Sequence, residues 1–233
     1  MQSLYLLFNE GYKASAGDQL IRQDICEEAI RLAEVLAKHP TGNRPKTHAL
    51  LALMLLTAAR TPARVDDAGN LLRLREQDRT RWSQPMIARG MFHLAQSAAG
   101  GEISEYHLQA GIAACHGAAK DYASTDWEEI VSLYDRMLTF DDSPVVALNR
   151  AVALEEARGP QAGIEAVNAI PDLKALFDQV FAGQGALQRF RYDLVAHEQE
   201  FTGFVLKQFF RQRAVTFARC LDQDMAQPRT GPD

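Results

Sequence analysis

Apolar residues recur along this chain at intervals of three and four, the spacing of one face of an α-helix, and nowhere alternate for long enough to make a central strand. The clearest stretch is 126–159. Trp127, Ile130, Val131, Tyr134 and Leu138 form one stripe, with Thr125 and Glu128 placed as a capping box at its start. A second helix opens with Ser143 as N-cap and Pro144 at its first position, turns Val145, Leu148, Ala151 and Val152 inward, and stops at Gly159-Pro160. Joined by a tight turn, the two make an αα-hairpin whose stripes are buried only if further hairpins stack on both sides. The pattern predicts an all-α fold, a stack of helical hairpins of tetratricopeptide-like spacing.

The rest of the chain reads the same way. Leu4–Tyr12 predicts a helix that begins almost at the first residue, with no lead-in strand or cap, and so reads as cut from a longer chain. After a small polar loop over Lys13–Gln19, Asp24 and Glu27 are placed to cap a helix with Ile25, Cys26, Ala29, Ile30, Ala33 and Leu36 inward, ended by Pro40. Thr47–Arg60 is apolar on every side through Leu50–Leu56, which requires other helices all round it. Asp66–Asn70 is a turn signal, within either a small hairpin near 63–74 or a plain loop; the ligand spacing and distal Glu of a calcium loop are missing. Ser83–Ala98 predicts a helix with Ile87, Met91, Leu94 and Ala95 inward, ended by Gly100-Gly101. Ser104–Ala119 follows with Leu108, Ile112 and Cys115 on its core side, and Gly111 marks a close helix contact, since glycine in mid-helix otherwise costs about 1 kcal/mol. A shorter helix over Pro160–Ile170 is broken by Pro171.

These elements divide the chain into a helical domain over 1–171, terminal helices over 172–222 packing on it, and a disordered tail over 223–233. Eight of the eleven phenylalanines lie in the terminal helices, which cover the end of the stack or make a homodimer contact.

Composition narrows the function classes. Apolar residues at 47% and charged residues at 24% are ordinary for a globular protein, and a net charge of -5 without any strongly basic stretch argues against direct DNA binding. Cys26, Cys115 and Cys220 lie far apart and read as buried, reduced thiols of a cytoplasmic protein. The longest apolar run, Ala49–Leu56, is far short of the roughly 20 residues of a membrane span, and Leu4–Phe8 lacks the basic flank of a secretory signal.

Candidate chemistry is sparse. No phosphate loop, dinucleotide fingerprint, nucleophile elbow or zinc-type helix motif occurs. His107 and His116 fall on opposite helix faces, and Cys115 and His116 diverge by about 100° on a helix, which reads as a packed thiol beside a surface imidazole. Glu10, Glu27 and Glu28 lack the Glu-x-x-His spacing of a bundle metal site. The expectation is a protein that is not an enzyme and holds no cofactor or metal. The densest polar stretch is Leu71–Trp82, where Asp78, Arg79, Arg81 and Trp82 read as a contact surface, within this chain or with another, because Trp and Arg dominate interface hot spots.

Several stretches, taken in order, carry a family resemblance: Leu4–Tyr12, Cys26–Ala33, Leu51–Leu56, Gln77–Trp82, Thr125–Trp127, Tyr134-Asp135 and Ser143–Ala153. Together they resemble the carboxy-terminal, tetratricopeptide-like extension of a group of extracytoplasmic-function sigma factors of RNA polymerase. The promoter-reading sigma regions themselves are absent, so the chain reads as an excised domain or a stand-alone relative, and after Pro171 the family's Arg-Leu-Gly-Arg turn is not found. The resemblance implies an auxiliary, regulatory part in transcription initiation, with the sigma promoter-reading regions, polymerase or a regulatory protein as partner. It marks Asn9, Glu10, Asp126, Asn149 and Arg150 as structural polar positions within the matched stretches. Two other readings stand beside it: a stand-alone helical-repeat scaffold that grips a peptide, and a small-molecule sensor or enzyme with its pocket in the bundle. A concave groove of polar and aromatic residues would favour the scaffold, and a closed pocket of convergent titratable groups the sensor.

Overall fold

A helix with no polar face needs walls on every side, and the first half of the molecule is built to supply them. The computed structural model describes residues 1–12, 21–67, 69–140 and 142–171, all within one compact unit spanning Met1–Glu198. Helix α3 (Pro45–Ala58) buries every residue from Ala49 to Ala58. It is enclosed by α1 (Gln2–Tyr12), α2 (Gln23–Lys38), α4 (Gln84–Ser97) and α5 (Glu105–Ala118), each of which packs against it. Fully burying one Leu contributes about 1.5 to 3 kcal/mol, so this helix is the largest single source of burial among the described helices.

The second half is layered. Helices α6 (Trp127–Leu138), α7 (Pro144–Arg158) and α8 (Pro160–Asn168) follow, and each packs on its predecessor, beginning with α6 on α5. The result is the expected all-α stack of helical hairpins, with no strand among the described residues. The segment after α3 makes a single antiparallel bridge, Val65 to Leu71, flanked by Asp66 N–H to Asn70 O at 2.9 Å and Leu72 N–H to Arg64 O at 2.7 Å. It is the small hairpin, not the plain loop.

Two hydrophobic cores result. The first joins α1–α4 with Trp82; the second joins α6–α8. Helix α5 belongs to both, turning Ala110 and Ala113 into the first and Leu108 and Ile112 into the second. A Cβ on Gly111 would stand 3.1 Å from Leu133 Cδ1, so glycine does mark a close approach of α5 to α6.

The helix ends hold both agreement and correction. Ser143 and Pro144 open α7, and Gly159 closes it at φ 93°, a left-handed conformation that favours glycine. The expected box of Thr125 and Glu128 does not cap α6. Asp126 does, its Oδ1 accepting from Glu129 N–H at 3.0 Å, because Thr125 is buried as an acceptor for Arg79 and Glu128 is drawn to Arg158 across the hairpin. Neither Asp24 nor Glu27 caps α2: Arg22 is the N-cap residue, Asp24 pairs with it at 2.9 Å, and Glu27 accepts from Gln23. Of the residues expected on the inner face of α4, Ile87 is buried and Met91 and Leu94 pack half-buried against the first core, whereas Ala95 is exposed and Gly90 is buried. Cys26 is buried but Cys115 only half-buried; burial pushes their thiols up to about 12 and about 11, so both are protonated at neutral pH. The loop over 13–19, the terminal helices over 172–222 with their dimer contact, the tail over 223–233 and Cys220 lie outside the described residues.

Candidate functional site

Short 3-10 turns over Leu74–Glu76 and Arg79–Arg81 carry the charged stretch between the cores and decide where its side chains go. Trp82 turns inward and is 4% exposed, within the first core. Arg60 and Arg79 approach its ring, their Cζ atoms 5.5 and 4.9 Å from the centroid. Arg79 Nη1 donates to His116 O at 2.7 Å and Ala119 O at 3.0 Å, and Nη2 donates to Thr125 Oγ1 at 3.0 Å. One guanidinium thus satisfies carbonyls at the end of α5, which has no helical partner for them, and ties that end to the start of α6. Asp78 and Arg81 remain exposed, Asp78 accepting from Thr80 N–H at 2.9 Å and Thr80 Oγ1 at 2.7 Å. The contact that Trp82 anchors therefore lies inside this chain, and the two exposed members stand at its rim.

His116 overturns an expectation. It is 0% exposed, its ring edge-on to Trp127 at 5.3 Å between centroids, with Tyr122 a further 5.1 Å from Trp127. Burial first, then the nearby Arg60 and Arg79 charges, hold its imidazole well below the usual histidine range, so it is neutral. The sequence carried a signal for this. Leu108, Ile112 and His116 follow at i, i+4 and i+8, one buried stripe, while Cys115 stands beside that stripe.

The marked polar positions are dispersed. Asn9 and Glu10 are half-buried on α1, Asp126 caps α6, and Asn149 is 1% exposed within α7. Arg150 Nε donates to Asp135 Oδ1 and so ties α7 to α6. The structure does not bring these five into one site.

A cleft does form where α1, α5 and the starts of α3 and α7 converge. Its main chamber, about 400 Å³, is lined by Tyr5, Leu6, Lys46, Gln109, Met137 and Val146, among others. A second chamber of about 250 Å³ shares Lys46, Glu105 and Tyr106 and reaches Ser104 and Phe140. Tyr5 Oη donates to Gln109 Oε1 at 3.0 Å, the Tyr5 and Tyr106 rings meet edge-on at 5.4 Å, and Lys46 Nζ stands 5.6 Å from the Tyr106 centroid. Neither Lys46 nor Glu105 has an ion-pair partner among the described residues. Phe140 at the rim is 57% exposed. The cleft offers a cation, a carboxylate, an amide and two phenols over aliphatic walls. Among the described residues no group of three or more His, Cys, Asp or Glu stands close enough together to hold a metal ion.

Elsewhere, His48 on α3 and His93 on α4 meet with their Nδ1 atoms 2.9 Å apart. With centroids 5.1 Å apart and planes 18° from parallel, the rings lie edge to edge. His48 Nε2 stands 2.9 Å from Asn43 Oδ1, which fixes its proton there, so its Nδ1 accepts from His93 Nδ1–H. Burial, then His48, Arg89 and Lys38, lower His93 to about 4.

Among known proteins, residues 1–98 match a family model described as a family of unknown function (DUF6596). An uncharacterized protein of Rhizobium meliloti (strain 1021) is 41% identical over 164 residues, an alignment covering 70% of this chain and 38% of that protein. The chain thus spans well under half the length of this curated relative. No solved structure matches the chain significantly. No helix among the described residues is long and apolar enough to cross a membrane.

Proposed function

We propose that this chain is an auxiliary protein-interaction domain of a sigma factor of the extracytoplasmic-function type, acting in transcription initiation through contacts with the promoter-reading regions or with polymerase. The observation that carries the reading is the ordered set of stretches from Leu4 to Ala153, among which Gln77–Trp82 forms the joint between the two cores. Two further facts support it. The cleft presents two charged side chains, Lys46 and Glu105, with no ion-pair partner among the described residues, and the Rhizobium relative has ample additional length in which promoter-reading regions would lie. With a net charge of -5, the domain acts through protein rather than through phosphate contacts.

The test is reconstituted transcription with the longer protein that contains this domain and core polymerase. Deleting the domain, or altering the cleft by Lys46→Glu with Tyr106→Ala, lowers promoter-specific transcript about tenfold, a loss of about 1.4 kcal/mol of coupling. Unchanged transcript from both would overturn the proposal. So would saturable binding of the isolated chain to duplex DNA at low salt in the low micromolar range. The second reading, a stand-alone peptide-gripping scaffold, is favoured by the same cleft; it gains if the chain binds peptides but neither sigma regions nor polymerase.

A further inference from the structure

The cleft is not evenly polar, and its asymmetry says what it takes. Gln109 is 7% exposed, and Tyr5 Oη occupies its carbonyl oxygen, leaving the amide N–H groups without an acceptor among the described residues. Gln109 lines the chamber together with Lys46, whose ammonium likewise has no carboxylate partner there. Lys46 is the second residue of α3, after Pro45 at the first position, so the chamber also lies at the positive end of a helix of 14 residues. Three sources of positive potential, two of them hydrogen-bond donors, meet beside the aliphatic walls of Leu6, Met137 and Val146.

We infer that the cleft binds an extended peptide segment of a partner protein through an acidic side chain, its carboxylate held by Lys46 Nζ and Gln109 Nε2 and a neighbouring aliphatic side chain seated on Met137 and Val146. This deepens the proposed docking function and rests on it only for the identity of the partner. The chamber of about 400 Å³ has room for two or three side chains, not for a folded surface. A nucleic-acid strand is disfavoured because, among the described residues, Lys46 is the one basic side chain lining either chamber and Glu105 faces any second phosphate. Glu105 also sets polarity along the segment: the acidic residue lies at the Lys46 end and no second acidic residue is tolerated beside Glu105.

The test uses the purified full chain and a fluorescent, end-capped hexapeptide with a Leu-Asp-Leu centre, with its Leu-Asn-Leu counterpart as control. Anisotropy titration gives saturable binding of the Asp peptide in the range of about 0.1 to 1 mM and at least about tenfold weaker binding of the Asn peptide. Lys46→Glu abolishes the difference, Gln109→Met weakens the Asp peptide several-fold, and Glu105→Gln binds it at least as tightly as the unaltered chain. Thermal melting of each variant separates lost binding from lost fold; Lys46 and Glu105 are exposed, so their substitutions keep the melting midpoint. Equal affinity for the two peptides, no binding up to about 2 mM, or an unaffected Lys46→Glu variant overturns the inference. Displacement by inorganic phosphate but not by acetate at equal concentration also overturns it, in favour of a phosphate ligand. Peptide binding that survives while transcription is indifferent to Lys46→Glu defeats the sigma-factor reading alone.

Discussion

Around α3 the first core is closed on every side, whereas the second, among the described residues, is open-ended, with α6 between α5 and α7 and α7 between α6 and α8. The closed core sets small residues, Ala29, Ala33, Ala52 and Ala59, beside Leu50, Leu51 and Leu55, so that helices approach from all directions, and takes its aromatic residues, Tyr5, Phe8, Tyr12 and Trp82, from outside α3. The open core is built from one-sided stripes: Trp127, Ile130, Tyr134 and Met137 face inward while Glu128, Glu129, Asp135 and Arg136 face water. A closed core depends on every one of its walls, because losing any wall bares part of an apolar helix. A layered core loses only the face of the layer removed. What joins the two is narrow: one shared helix and two arginines of the turns between them, Arg79 on the end of α5 and Arg75 paired with Glu156 of α7 at 2.7 Å.

The sharpest way to break this comparison is to hollow out each core in turn. Leu51→Ala in α3 is expected to cost about 3 to 5 kcal/mol and Ile130→Ala in α6 about 2 to 4 kcal/mol, by lost transfer energy plus the cavity. Urea unfolding followed by both circular dichroism and tryptophan fluorescence should show one coincident transition for each, since α5 couples the cores. Two transitions would show them to be independent units. Next in size is the arginine joint. Arg79→Ala removes charged hydrogen bonds to the end of α5 and should cost about 2 to 3 kcal/mol by the same measurement, with Arg79→Lys recovering little because an ammonium cannot span the two carbonyls and Thr125. Asn149→Ala, deep in α7, should lower stability by about 1 to 3 kcal/mol and the melting midpoint by several degrees; an unchanged midpoint would mean that its amide contributes nothing to the layered core.

Much of this contrast was legible in the sequence, and the misses have physical causes. The all-round apolar run of α3 announced a helix enclosed by others, and Ser143-Pro144 and Gly159-Pro160 fixed the ends of α7, because each is a local signal with a single cheap solution. The caps of α2 and α6 were misread because several acceptors lie within reach of each helix start, and competition from Arg22, Arg79 and Arg158, two of them distant in sequence, decided which was used. His116 was assigned to the surface because its type is polar, although its i, i+4, i+8 position was on the buried stripe. The cleft was invisible: Tyr5, Lys46, Tyr106 and Gln109 come from three helices, and no spacing along the chain records that they meet.

Histidine titration distinguishes the closed core from the joint. His93 in the α3–α4 contact and His116 at the joint both have folded values lowered from 6.5, so the unfolded chain binds more protons below that pH. Their contribution to stability is complete above about pH 6.5 and is lost as pH falls, for His93 down to about 4. Melting midpoints should therefore fall by several degrees between pH 7 and pH 5, and less steeply in both His93→Gln and His116→Phe. A profile with the same slope in both variants would exclude these rings as its source. The smallest effect tests a cap. Asp126→Ala should cost about 1 kcal/mol in urea unfolding, while Glu128→Ala leaves the midpoint unchanged.

The double allegiance of α5 has a consequence for how this molecule can be subdivided. The match to the family model ends at residue 98, just before that helix begins, yet Ala110 and Ala113 complete the first core. The edge of that match is therefore not a boundary of cooperativity, and the 164-residue alignment with the Rhizobium protein runs past it. A polypeptide truncated at 98 would expose one flank of α3 to water. Any piece of this chain meant to fold alone has to keep the following helix or have its place filled by another chain.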